Sequence, residues 1–242
     1  MEPAGLLMAF RSEGERIAWT VAGRDLDVAV PHCPGMTAAE VVRHLGSIYQ
    51  RVTKWVAVQH RPQEWQRTPP EGTDLRSWCA AGMRTLYDEL ASHGPGEVCD
   101  TWFPADRSYR FWWRRMAHET TVHRMDVTEA YGLRYPVPDP VCVDGIDEVL
   151  TLFLGTRLGA DVRGKDQVIA IEAGTHVWRV TLQPHAVDVA AEIPWECDAA
   201  VSGPPEGVYR WLWGRGGIDA LRVNGDAAAV AALRETMARA TQ

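Results

Sequence analysis

The sequence predicts an α+β protein. A four-helix bundle fills residues 1–160, and a small α+β domain with a mostly antiparallel sheet follows over 161–242. Two observations carry this. Four long stretches repeat apolar residues at helical spacing, joined by proline- and glycine-rich loops. After Gly159 the pattern changes to short alternating runs with hairpin rhythm, and this places a domain boundary near 160–166.

The first helix is expected from Gly5 to Ala22, with Leu6, Leu7, Phe10, Ile17, Trp19 and Val21 at mixed helical spacing. Val30-Pro31-His32-Cys33-Pro34-Gly35-Met36 is a rigid loop. Thr37 and Glu40 have the spacing of a capping box. They open a helix to Gln59, carried by Val41, Val42, Leu45, Ile48, Val52, Trp55 and Val56. Residues 61–73, with three prolines and a glycine, form a loop. A third helix spans Asp74 to Ser92 and ends at His93-Gly94-Pro95-Gly96, where His93 is a partner for the helix dipole. The fourth helix, Tyr109 to Tyr131, closes at Gly132. Pro136 to Pro140 is expected as a turn and Asp144 to Leu158 as a fifth helix. Strands are expected at 167–173, 177–182, 186–189 and 197–202, with a short one at 221–223. A short helix runs from Pro204 through Trp213, with proline in its first turn, and a closing helix from Ala227 to Ala240.

Composition narrows the function. The net charge of −7 opposes general nucleic-acid binding, because nothing offsets phosphate repulsion. No apolar run approaches 18 residues, so no membrane span is expected, and the first residues lack the form of a signal peptide. The five cysteines are an odd number, widely spread, without C-x-x-C. That implies a reducing cytoplasm, with neither a disulfide framework nor a zinc ribbon.

Chemistry concentrates in the fourth helix. At about 100° per residue, Glu119 and His123 lie about 40° apart, and Asp126 falls about 20° from Glu119. All three share one stripe. A carboxylate and an imidazole one turn apart make a bidentate metal site, although the same spacing also serves as a plain contact on a helix face. His118, about 140° from His123, is not expected to join them. His44, close to the apolar stripe of the second helix, reads either as a hydrogen-bonded core histidine or as a third ligand from a neighbouring helix.

Five stretches taken together resemble the mycothiol-dependent maleylpyruvate isomerase family. They are Val30-Pro31-His32-Cys33-Pro34-Gly35-Met36-Thr37, Val42-Arg43-His44-Leu45-Gly46, Ala117-His118-Glu119-x-x-x-His123-Arg124-x-Asp126, Trp195-x-Cys197-Asp198-Ala199-x-Val201-Ser202-Gly203-Pro204 and Leu212-Trp213-Gly214-Arg215. The resemblance spans nearly the whole chain. It implies a DinB-like bundle followed by a sterol-carrier-like α+β domain. It assigns His44, Glu119 and His123 to a divalent metal, most often zinc (Zn2+), and places Asp126 and, by its motif, Arg215 at the active site. Met36 departs from the family, which carries tryptophan there, and only a local packing change is expected.

The implied cofactors are the metal and mycothiol, a thiol whose thiolate adds to an electrophilic double bond. Rotation and elimination then give cis–trans isomerisation, and retention gives S-transfer. The partners expected are a small-molecule substrate and the thiol cofactor, in a monomer or homodimer, with no nucleic acid and no membrane. Asp126 is expected either behind a ligand histidine or in a salt bridge to Arg124. Arg215 is expected to clamp a substrate carboxylate or to serve as a helix-end charge. Cys33 reads as a structural thiol or as a partner in a mixed disulfide with the cofactor. The rival readings are a metal-dependent hydrolase on the same bundle and a non-enzymatic metal- or ligand-binding protein.

Overall fold

The computed structural model describes residues 1–157 and 164–241. It divides into two compact units, Met1–Tyr135 and Pro136–Gln242.

The first unit holds four helices: α1 (Pro3–Val21), α2 (Ala38–Val58), α3 (Leu75–Ala91) and α4 (Tyr109–Ala130). They pack in a ring in the order α1, α4, α2, α3. Leu6, Phe10, Val41, Leu45, Leu86 and Leu90 are fully enclosed, each contributing roughly 1.5–3 kcal/mol of apolar burial. The predicted capping box opens α2. The Glu40 backbone N–H donates to Thr37 Oγ1 at 3.4 Å, and the Thr37 N–H donates back to Glu40 Oε2 at 2.6 Å. Asp74 and Ser108 cap α3 and α4 through their side chains. Between α2 and α3 the indole of Trp65 donates to Ser47 Oγ at 3.0 Å and that of Trp78 to Gln66 Oε1 at 3.2 Å, which pins the proline-rich loop to both helices.

α2 and α4 run antiparallel. Tyr49 Oη lies 2.9 Å from Thr120 Oγ1, and further along, the Trp55 and Trp112 rings meet edge-on at 5.2 Å. α4 is unlike its neighbours because it is buried on nearly every side, and the buried set includes Arg115, His118, Arg124 and Asp126. Buried charge is costly without a partner, so these residues are where the bundle carries specific polar contacts. Arg124 pairs with Glu13 of α1 and donates to the Tyr135 carbonyl at 2.9 Å.

The second unit begins with α5 (Asp139–Glu148), which continues as a π-helical turn (Val149–Leu154) and a last short turn, α6 (Gly155–Arg157). The chain then forms β1 (Gln167–Ala173), β2 (His176–Leu182), β3 (Val187–Ala190), β4 (Ala199–Gly203), α7 (Pro205–Leu212), a 3-10 turn (Ile218–Ala220), β5 (Arg222–Gly225) and α8 (Ala227–Ala240). The sheet order is β3-β2-β1-β4-β5. Three pairings are antiparallel, and β1 with β4 is parallel. Gly174, at a φ of 60°, makes the tight turn between β1 and β2, a backbone state that glycine adopts without strain. Trp178, Val180 and Leu182 are the buried alternate residues of β2, and α7 and α8 pack on β1 and β4.

Two expectations are corrected. The units divide between Tyr135 and Pro136, not near 160–166, whose first residues 160–163 lie outside the described residues. The fifth helix packs on α7 of the second unit, and Trp178 of β2 donates to its Asp147 at 3.0 Å. It also starts at Asp139, inside the stretch expected as a turn. Pro140 occupies the first turn of α5, where a missing N–H costs nothing. Its expected end at Leu158 lies outside the described residues. Among the described residues no helix is long and apolar enough to cross a membrane.

Candidate functional site

The facing turns of α2 and α4 bring His44, Glu119 and His123 together, with one potential ligand atom from each lying within 4.8 Å of the others. His44 Nε2 lies 3.0 Å and His123 Nε2 3.5 Å from the same carboxylate oxygen, Glu119 Oε1. The two imidazoles meet edge-on at 4.8 Å between centroids. His44 is 42% exposed and His123 only 15%, so the cluster opens to solvent on its α2 side.

Two further residues of α4 fix the cluster from behind. Asp126, fully buried, accepts a hydrogen bond from His123 Nδ1 at 2.9 Å. This holds the ring so that Nε2 faces Glu119, the arrangement by which a carboxylate orients a ligand histidine. Asp126 thus sits against His123, while Arg124 pairs with Glu13. Arg115, one turn before Glu119 and almost wholly buried, donates to Glu119 Oε2 at 2.8 Å. It leaves Oε1 turned to the histidines. Arg115 lies outside the residues that the sequence pattern assigns to the site, although its i, i+4 spacing to Glu119 is a signal the sequence carries. His118 is fully buried and outside the cluster.

These contacts set the charges. Burial pushes the Glu119 carboxyl up, but hydrogen bonds from His123 and His44 and the charge of Arg115 outweigh it and hold the group well below the usual carboxylate range. Burial pushes His123 down, and the hydrogen bonds to Asp126 and Glu119 outweigh that and raise it to about 9. Two imidazoles and one carboxylate converging on a point are a donor set suited to zinc and similar divalent ions.

Arg215 belongs to the second unit. Its Nη1 donates to the Trp213 carbonyl at 2.7 Å, just past the end of α7. The five cysteines are thiols outside any disulfide, with Cys33 half-buried.

A helical bundle with a two-histidine, one-carboxylate cluster between two antiparallel helices, followed by a small mixed-sheet unit, defines the class of protein. Residues 7–128 match the family model described as the mycothiol maleylpyruvate isomerase N-terminal domain, and residues 140–232 match that of its C-terminal domain. The chain belongs to this family. Among solved structures, the crystal structure of the mycothiol-dependent maleylpyruvate isomerase superposes with a TM-score of 0.61 at 13% identity, covering 94% of this chain and 95% of that one. A histidine-to-alanine variant of that enzyme gives a TM-score of 0.59 at 12% identity, with 94% of this chain and 95% of that chain covered. At these identities the likeness is one of fold. A comparison with curated protein sequences finds no match.

Proposed function

We propose that this chain is a metal- and mycothiol-dependent enzyme that acts on a small electrophilic substrate, by cis–trans isomerisation of the maleylpyruvate type or by S-transfer. The observation that carries the reading is the convergence of His44, Glu119 and His123 within 4.8 Å in a bundle that matches this family. Three protein ligands leave a position open, which suits a catalytic rather than a structural ion. Bound there, a divalent metal would supply the positive charge that keeps a thiol as thiolate at neutral pH, and mycothiol would supply a nucleophile able to add to a double bond and leave again.

The chain's own residues have distinct parts in this reading. His44 and His123 offer Nε2, and Glu119 offers Oε1. Asp126 keeps the His123 proton on Nδ1, so Nε2 is the nitrogen available to a cation. Arg115 occupies Glu119 Oε2 and fixes the direction of Oε1. Arg215 is proposed to pair with a substrate carboxylate, where a planar guanidinium gives two parallel hydrogen bonds.

The test is turnover of a panel of electrophiles that includes maleylpyruvate, with mycothiol, with another thiol and with none. Mycothiol-dependent turnover that disappears in Glu119→Gln supports the proposal. Hydrolysis of esters or amides without any thiol, or no thiol-dependent turnover by the metal-loaded protein, overturns it.

A further inference from the structure

A second charged cluster lies on the His44 side of α2 and takes no part in the chemistry above. Arg51 follows His44 by seven residues, which is about 10 Å along the helix axis and about 20° of rotation. Its guanidinium packs against two indoles, at 5.4 Å from the Trp55 ring centroid and 5.0 Å from that of Trp65. Arg67 lies over Trp65 at 4.2 Å. Trp65 is itself anchored to α2 through Ser47. Between them, the tryptophans hold two guanidinium planes against a fixed loop.

These cations lack what normally accompanies them. Among the described residues, Arg51, Arg61 and Arg67 make no ion pair, and the Arg51 Nε is buried without a hydrogen-bond partner. Burial, and then the nearby charges of Arg61 and Arg67, lower the pKa of Arg51. Lys54 and Glu64 line an adjoining groove of about 440 Å³ with Gln50, Thr53, Trp65 and Gln66. Two guanidinium groups therefore share the Trp65 indole without an ion-pair partner among the described residues, on a chain whose net charge is −7. Stacking on tryptophan alone does not require mutually repelling charges. A stacked guanidinium does, however, present a preset fork for planar or tetrahedral oxyanions.

We infer that Arg51 and Arg67, held against Trp65, form an oxyanion-binding site on the His44 side of α2, taking the carboxylate or phosphate group of a small molecule. That group belongs either to a separate anionic ligand or to the far end of a ligand that also reaches His44. The two sources share one chemistry.

The probe is sulfate, titrated calorimetrically into the purified protein against sodium chloride of matched ionic strength. Saturable binding is expected in the parent, weakened at least ~10-fold, or about 1.4 kcal/mol, in Arg51→Gln/Arg67→Gln. The exposed single variant Arg67→Gln, whose fold is checked by its near-ultraviolet circular dichroism, is expected to weaken binding in the same direction. Glu119→Gln is expected to leave sulfate affinity unchanged, because the two clusters are separate. No saturable binding beyond chloride, equal affinity in parent and folded Arg67→Gln, or loss of binding in Glu119→Gln overturns the inference. If it holds, a carboxylate-bearing substrate whose KM rises in Arg67→Gln identifies a ligand shared with His44. An unchanged KM identifies a separate one.

Discussion

Replacing Asp126 by Asn changes two opposing quantities, and pH separates them. His123 titrates at about 9, so at pH 7 a metal ion must displace a proton that is held by about two pKa units. At 1.36 kcal/mol per unit that is about 2.7 kcal/mol, or about 100-fold in apparent affinity. Apparent zinc affinity should therefore rise about tenfold per pH unit and level off near pH 9. Asp126→Asn removes the buried carboxylate that helps hold this proton, so the variant should level off at lower pH. It also loosens the grip on Nδ1, which in comparable sites costs about 10–100-fold in affinity. Near pH 7 the two effects nearly cancel. Above pH 9 only the second remains. The assay is zinc titration against a chromophoric chelator from pH 6.5 to 9.5. The gap between parent and variant should be small at pH 7 and widen to about 10–100-fold at pH 9.5. A gap that stays constant with pH, or a parent affinity that is flat between pH 7 and 9, would refute the reasoning. Stability of the metal-free protein should run the other way. The folded pKa of His123 is raised above its ordinary 6.5, so its contribution of about 3 kcal/mol is fully present below pH 6.5 and is lost as the pH rises through about 9.

Three further outcomes follow from the packing. Arg115→Met should lower stability by about 3 kcal/mol by leaving Glu119 with less compensation, and should weaken zinc binding while His44 and His123 remain; unchanged zinc affinity would remove Arg115 from the site. Arg124→Met should cost about 3–5 kcal/mol in urea unfolding because Glu13 is left buried and unpaired, and adding Glu13→Leu should recover most of it; no recovery would mean that the pair is not the source. Gly46→Ala would place a Cβ 2.2 Å from the Trp78 ring, so a loss of about 1–3 kcal/mol is expected in thermal unfolding, and a neutral result would show that Trp78 moves freely.

How much of this was legible in the sequence depended on whether the signal was local. The four bundle helices and the Thr37–Glu40 box carry periodicity and caps within a few residues, and they appear where expected. Glu119, His123 and Asp126 share a stripe by helix geometry alone, so their grouping was readable. Their meeting with His44 depends on the antiparallel packing of α2 and α4, a tertiary fact; the helix pattern left His44 open between a core histidine and a third ligand, and the family resemblance chose the second. The i, i+4 spacing of Arg115 and Glu119 is visible in the sequence, but that Arg115 rather than the adjacent Arg114 is buried against the cluster is a tertiary fact. The start of α5 was missed because its prolines read as a breaker, although a proline in the first turn is tolerated. The parallel pairing of β1 with β4 was invisible for a different reason. Alternation along a strand fixes which face is buried and says nothing about the direction of its neighbour.

The central claim is that the α2–α4 cluster holds a divalent metal, and elemental analysis of the purified protein beside His44→Ala/His123→Ala tests it most directly. About one zinc or similar ion per chain in the parent and none in the folded double variant is the predicted result. No metal in the parent after reconstitution with excess zinc, or equal metal in both proteins, would contradict it.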